Sequence, residues 1–429
     1  MSGIQVEKTL LWITAATVVV GLSAWAERKL RAQTFRPEQV DKQETGSGKV
    51  VHGVIGLIGN TPLVRIDSLS DALGVEILGK AEFLNPGGSV KDRVALQIIE
   101  DAERAGLLVP NTGSRIFEGT VGSTGISIAT VARAKGYETT IIMPDDVALE
   151  KVQLAEMLGA TVERVRPASI VDEKQFVNLA RARAAAFTGD DSVVHSHARN
   201  DGQTDVLVSE KRESSTAVKQ SSARGFFADQ FENESNFRAH FEGTGPEIWE
   251  QTGGKIDAFV SGAGTGGTLS GTSTYLRRRN PQLKVILSDP EGSGLFNKIK
   301  YGVMYDVKER EGRKRRHQVD TIVEGIGINR LTRNFDIGRK LIDDAYRVTD
   351  QEAISMSRHL VMHDGLFLGS SSACNLVASV KLAKTLPKGS TIVTILCDSG
   401  SRHQSKFWSK EYIDKAGFKD SPDITSILG

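Results

Sequence analysis

The sequence predicts an α/β fold in which parallel β-sheet is covered by helices, with enough chain for two domains of ordinary size. Two observations carry this. From about residue 50 onward short apolar runs alternate with segments of helical period, the pattern of strands feeding helices that pack back on a sheet. The 429 residues are 39% hydrophobic and 25% charged, the balance of a globular chain with a substantial core.

The N-terminus departs from that average. Thr9–Ala26 runs for 18 positions without a charge, which at ~1.5 Å per helical residue nearly spans a hydrocarbon layer. Trp12 and Trp25 stand near its ends, and Arg28, Lys29 and Arg31 follow. Interfacial aromatics and a basic flank predict a single-pass anchor over residues 1–31 with the body on the cytosolic side; a cleaved signal peptide or a buried helix are the alternatives. The basic flank, without an Arg-rich, acid-poor presequence, points to the mitochondrial outer membrane over the matrix. Residues 32–50 are polar and read as a tether.

In the body, strands are expected at 75–83, 139–144, 256–262, 283–289 and 391–398, and helices at 90–106 and 148–160. Residues 200–224 are polar, Ser-rich and short of aromatics, which predicts a disordered surface insertion. The basic stretch at 308–318 lacks interleaved aromatics, so it reads as a solvated loop and not a nucleic-acid surface. Lys and Arg total 54 against 53 for Asp and Glu, so no global field favours an anionic partner. The two cysteines, Cys374 and Cys397, form no disulfide framework or metal motif and suit a reducing compartment.

Four segments carry chemistry. In Lys80–Arg93 a strand-like run ends in Asn85-Pro86-Gly87-Gly88, and Ser89 is placed to cap a helix with Lys91 in its first turn. The positive end of the helix dipole disfavours an ammonium there and favours the neutral amine that builds a Schiff base; a lone exposed lysine is the plain alternative. In Glu118–Gly125 the strand RIFEG leads through Thr120, Val121, Gly122, Ser123 and Thr124 into a helix. Free N–H groups and hydroxyls make it suited to a carboxylate, or it is a tight turn with no ligand. Gly262–Thr268 joins a strand to a helix; its glycines admit a phosphate, with Thr265 and Thr268 as hydroxyl donors. It also satisfies GxGxxG, and Asp289 follows 22 residues after Gly267, so a dinucleotide-binding oxidoreductase is the runner-up. Lastly, Gly369–Ala373 places Ser371 at another helix start, as a cap or as a partner for a ring nitrogen.

Taken in order, the stretches NTPLVR (60–65), NPGGSVKDR (85–93), the loop at 120–125, GTGGT (264–268), EGIG (324–327) and the serine turn resemble the cysteine synthase and cystathionine β-synthase family, most closely the membrane-anchored fungal type of cysteine synthase. The resemblance runs from Ile58 to Gly400. It implies a fold-type II, tryptophan synthase β-like α/β architecture with pyridoxal 5'-phosphate between two lobes: residues 50–93 with 225–429 in the larger, 94–200 in the smaller. It implies Lys91 as the Schiff-base lysine, Gly264, Thr265, Gly266, Gly267 and Thr268 around the cofactor phosphate, Gly325 in the cleft, and Ser371 at the pyridine nitrogen. Ser123 would face the cofactor, and Thr120, Val121, Gly122, Ser123, Thr124 and Gln230 the substrate. A neutral serine partner leaves the pyridine a weaker electron sink than a carboxylate would, which favours β-chemistry over transamination.

The implied reaction is β-replacement of O-acetylserine, or a similarly activated serine, by sulfide to give cysteine and acetate. A serine dehydratase-like elimination and a weakly active membrane-tethered cofactor-binding protein are the other readings. Family loops commonly carry asparagine where this chain has Ser123 and a hydroxyl where it has Val121. Expected partners are the small-molecule substrates, a membrane and a second copy of the chain in a homodimer, with no nucleic acid and no metal.

Overall fold

The computed structural model describes residues 50–188, 223–306 and 321–429. The expected anchor, the tether up to its last residue, the insertion up to residue 222 and the basic stretch at 308–318 lie outside them. Among the described residues no helix is long and apolar enough to cross a membrane.

The unit His52–Gly429 holds ten strands: β1 (Leu63–Arg65), β2 (Glu76–Ala81), β3 (Arg115–Gly119), β4 (Glu138–Pro144), β5 (Thr161–Val165), β6 (Gly225–Phe227), β7 (Ala258–Gly262), β8 (Lys284–Pro290), β9 (Asp344–Val348) and β10 (Thr391–Leu396). They form a six-stranded sheet in the order β1-β2-β10-β7-β8-β9 and a four-stranded sheet in the order β5-β4-β3-β6. Every pairing is parallel except β1 with β2. Parallel sheets bury both faces, and β3 and β7 are buried at all five of their positions.

Two cores follow. In the larger lobe Ile77, Val260 and Ile392 pack with Leu376 and Val377 of the helix Ser370–Ala383, which is buried at every residue except Lys381. In the smaller lobe Ile116 and Ile141 pack with Ile126 and Ala129 of the helix Ser123–Ala134 and with Val94, Ala95, Ile98 and Ile99 of the helix Lys91–Arg104.

Two sequence expectations change. Gly225–Phe227, expected in the larger lobe, is the edge strand β6 of the smaller sheet, in register with Arg115–Phe117. Gly225 suits that place because a Cβ on it would lie 2.1 Å from the Ala184 carbonyl oxygen. Arg224, assigned to the insertion, is already tied to the sheet: its carbonyl accepts from the Arg115 amide at 2.9 Å.

Candidate active site

Three strand-to-helix turns and one helix start face one cleft between the sheets. Lys91, Ser123, Gly264, Thr265, Gly266 and Thr268 line it, together with Gly325 and Ser371.

Lys91 is the first residue of its helix. The expected cap is modified: Val90 occupies the cap position without a side-chain bond, while the Ser89 hydroxyl accepts the Lys91 amide at 3.3 Å. Burial lowers the Lys91 amine below the ordinary lysine value, and the nearby Cys397 and Asp398 oppose it. Desolvation thus favours the neutral amine that the helix terminus was expected to favour. Gly87, just before, has its amide bonded to Asp92 Oδ2 at 2.5 Å, which fixes the entry into the helix.

The loop after β7 is a tight glycine turn walled by backbone and by the Asn236 side chain, a cradle of the shape expected for a phosphate. Gly266 takes φ +86° at the start of the helix Gly267–Arg279. A Cβ on Gly264 would lie 2.5 Å from the Gly325 oxygen, on Gly266 2.5 Å from Phe335 Cα, and on Gly267 2.0 Å from Asn236 Oδ1. Only glycines pass between these walls, and the helix N-terminus they open is an anion site. Asn236 Nδ2 donates to Thr265 Oγ1 at 2.8 Å, leaving the Thr265 hydroxyl hydrogen for a ligand. His240, buried and held well below the usual histidine range by desolvation, joins Thr244 Oγ1 at 2.9 Å and Thr268 Oγ1 at 3.1 Å. Sequence reasoning passed over Asn236 and His240, since neither sits in a glycine-rich motif.

The loop after β3 reaches the cleft through Ser123 alone. Thr120 and Thr124 are buried, and Val121 is 46% exposed at the rim; these three, Gly122 and Gln230 stand outside the lining. Two of the expected substrate residues nevertheless meet, because Thr124 Oγ1 donates to Gln230 Oε1 at 2.5 Å.

Ser371 lies at the opposite side of the cleft, on the first turn of its helix. Its hydroxyl bonds to Cys397, whose thiol burial pushes up to about 11. Both cysteines are free, and Cys397 and Asp398 are cleft residues that the sequence marked only as the end of a motif. Asp289, needed by the dinucleotide reading, is fully buried, and its Oδ2 accepts the Phe296 amide at 2.6 Å. It is not presented to a ribose, and GxGxxG here serves the cradle described above.

A cradle of glycine backbone with two oriented hydroxyls, a desolvated amine, and a neutral hydroxyl across the cleft fits a phosphate ester that carries an aldehyde and a ring nitrogen.

The comparisons agree with this geometry. Residues 54–398 match the family model described as pyridoxal-phosphate dependent enzyme. The chain is 55% identical over 379 residues to cysteine synthase 2 of Schizosaccharomyces pombe, covering 88% of each. It is 49% identical over 406 residues to a putative mitochondrial cysteine synthase of Saccharomyces cerevisiae, covering 94% of this chain and 93% of that one. The crystal structure of O-ureido-L-serine synthase superposes with a TM-score of 0.67 at 28% identity, covering 85% of this chain and 96% of its own. With a family match across most of the chain and a cleft that fits the group, the protein belongs to the pyridoxal-phosphate dependent enzymes, with pyridoxal 5'-phosphate as its cofactor.

Proposed function

We propose that the protein is a cysteine synthase, replacing the acetoxy group of O-acetylserine, or of a similarly activated serine, with sulfide to give cysteine and acetate. The observation that carries this is the convergence of Lys91, Gly264, Thr265, Gly266, Thr268 and Ser371 on one cleft, in a chain 55% identical to a protein named cysteine synthase 2. When bound, pyridoxal phosphate supplies an electron sink for the substrate α-carbon.

The chain's own residues do the rest. The N–H groups of Gly266, Gly267 and Thr268 and the hydroxyls of Thr265 and Thr268 would hold the phosphate. The neutral Lys91 amine takes the α-proton, helped by the burial that keeps it unprotonated. Ser371 offers a hydroxyl to the ring nitrogen without a formal charge. Gln230, oriented by Thr124, and the amides of the 120–124 loop receive the substrate carboxylate.

Lys91→Ala tests this most directly. The variant is expected to bind pyridoxal phosphate without a borohydride-reducible link and to lose turnover of O-acetylserine and sulfide by at least ~10³-fold. A reducible link at another lysine would refute the assignment. A wild-type protein that holds the cofactor but turns over no activated serine would support a binding protein instead.

Location and assembly belong to the same proposal: a single-pass anchor at Thr9–Ala26 in the mitochondrial outer membrane, the body in the cytosol, and a homodimer. The apolar run with its basic flank supports the anchor, the name of the S. cerevisiae relative supports the organelle, and the resemblance supports the dimer. Full-length protein is expected to stay in the membrane pellet under alkaline carbonate, and a chain lacking residues 1–31 to be soluble with its cofactor. Extraction of the full-length protein by carbonate would show that the segment is not integral.

A further inference from the structure

A row of charges of alternating sign crosses from the smaller lobe to the wall of the cleft. It starts at Lys151, on the helix Leu149–Met157, whose side chain is only 4% exposed and pairs with Glu324. Glu324 Oε2 faces His403 Nδ1 at 3.5 Å, and His403 Nε2 faces Asp398 Oδ2 at 3.1 Å. Asp398 lines the cleft. Both ends are seated against glycines. A Cβ on Gly122 would lie 2.5 Å from Lys151 Cδ, and a Cβ on Gly369 2.0 Å from Asp398 Oδ1 and 2.7 Å from His403 Nε2.

His403 is 2% exposed and sits between two carboxylates, one at each ring nitrogen. A neutral imidazole has one N–H and can satisfy only one of them, whereas the imidazolium has two and satisfies both. Burial alone would depress the imidazole, but Asp398 and Glu324 outweigh it, against Lys151, and hold it above the ordinary histidine value. Other charged groups facing the row are Lys406, 3.4 Å from Glu324 Oε1, Arg402, whose charge bears on Asp398, the Lys91 amine, on which Asp398 acts, and Glu150, on which Lys151 acts.

We infer that His403 is a positioning residue for substrate binding: its imidazolium fixes Glu324, Glu324 fixes Lys151, and the Lys151 stem supports Gly122 in the substrate loop. Without the imidazolium, Glu324 and Asp398 are left with mutual repulsion, Lys151 loses its fixed partner and the loop loses its backing. His403 is not among the residues lining the cleft, so the effect is expected on amino-acid binding more than on the cofactor. The inference rests on the proposed reading of the 120–124 loop as the carboxylate site.

The test is calorimetric binding of L-serine to the holoenzymes of wild type, His403→Gln, Lys151→Met and the double variant, with pyridoxal-phosphate affinity measured alongside. Each single variant is expected to weaken L-serine binding about tenfold, and the double variant no more than the weaker single, because both act through one row. Cofactor affinity is expected to stay within about twofold. Wild-type affinity should also fall as pH rises through the titration of His403, and that dependence should be lost in Lys151→Met. Multiplying losses in the double variant, unchanged L-serine affinity in His403→Gln, or an equal loss of cofactor affinity would overturn the inference. Should His403→Gln not fold, the pH series decides alone: equal slopes in wild type and Lys151→Met overturn it, and the substrate's own amine cancels between them. If wild-type holoenzyme binds no L-serine, it is the reading of the loop that fails.

Discussion

The two ligand loops are one piece of supersecondary structure built twice. Each follows a fully buried parallel strand, β3 or β7, turns at a glycine of positive φ, and opens a helix of twelve or thirteen residues. What differs is the material behind the turn. The cradle after β7 leans on backbone, on the Gly325 oxygen and on Phe335 Cα, whereas the turn at Gly122 leans on the flexible stem of Lys151. Backbone walls cannot yield without moving a sheet or helix; a lysine side chain yields by changing rotamer. On the proposed assignments, the larger lobe carries a fixed socket for the cofactor and the smaller lobe an adjustable seat for the substrate.

Equivalent substitutions should break this symmetry. Gly266→Ala places a Cβ 2.5 Å from Phe335 Cα at φ +86°, and pyridoxal-phosphate affinity is expected to fall about 100-fold. Gly122→Ala is also strained, at φ +139°, but its Cβ meets only the Lys151 side chain, Cδ at 2.5 Å and Cβ and Cγ at 3.3 Å. It should leave cofactor affinity within about threefold and weaken the amino-acid substrate instead. Cofactor titration by fluorescence measures both, and equal losses in the two variants would erase the distinction between socket and seat.

A smaller effect is expected at Ser123, the one residue of the substrate loop that lines the cleft. Asparagine offers a donor and an acceptor farther from the backbone than a single hydroxyl. One hydrogen bond in a desolvated site is worth roughly 1–3 kcal/mol, so Ser123→Asn should speed loss of acetate or addition of sulfide by about ten- to a hundredfold. Adding Val121→Ser should contribute little, since Val121 is 46% exposed. Pre-steady-state measurement of the two half-reactions checks both, and no change in either with any activated serine would mean that a water already restores the bond.

What was legible in the sequence divides along the same physical lines. The expected strands VEILGKAEF, RIFEG, TTIIMP, IDAFVSG, LKVILSD and TIVTILCD became β2, β3, β4, β7, β8 and β10, all interior strands, whose two covered faces favour apolar residues. The four that were missed, β1, β5, β6 and β9, are the sheet edges. An edge strand such as Thr161–Val165 is half solvated and so carries a weaker apolar signal than an interior strand. The glycine loops were legible because backbone approach to an anion restricts residue type. His403, Asp398 and Asn236 were not, since a side chain that supports a site from another element obeys no local spacing.

The least of the expected effects is a matter of stability, and it concerns the carboxyl group beneath the adjustable seat. Glu118, on β3 two residues before Thr120, is fully buried. Burial, and then the charge of Asp229, raise its pKa well above the usual carboxylate range, against contacts with Gln230 that favour ionisation. The folded protein therefore holds it as a neutral acid over pH values at which the unfolded chain ionises it. The sign follows from linkage: a folded-state pKa above the unfolded one gives stability that is full below the unfolded value and lost as pH rises through the folded one. Glu118→Gln keeps the shape and removes the proton. Its melting temperature should match wild type near pH 4 and exceed it at about pH 9, where each unit of raised pKa has cost wild type about 1.4 kcal/mol. The same variant should leave the phosphate cradle untouched, because Glu118 lies in the other sheet. Melting curves of the holoenzymes across this range, with cofactor affinity measured at each end, provide the check. Parallel pH dependence in the two proteins would mean that Glu118 is ionised in the fold, with a compensating charge supplied by its surroundings.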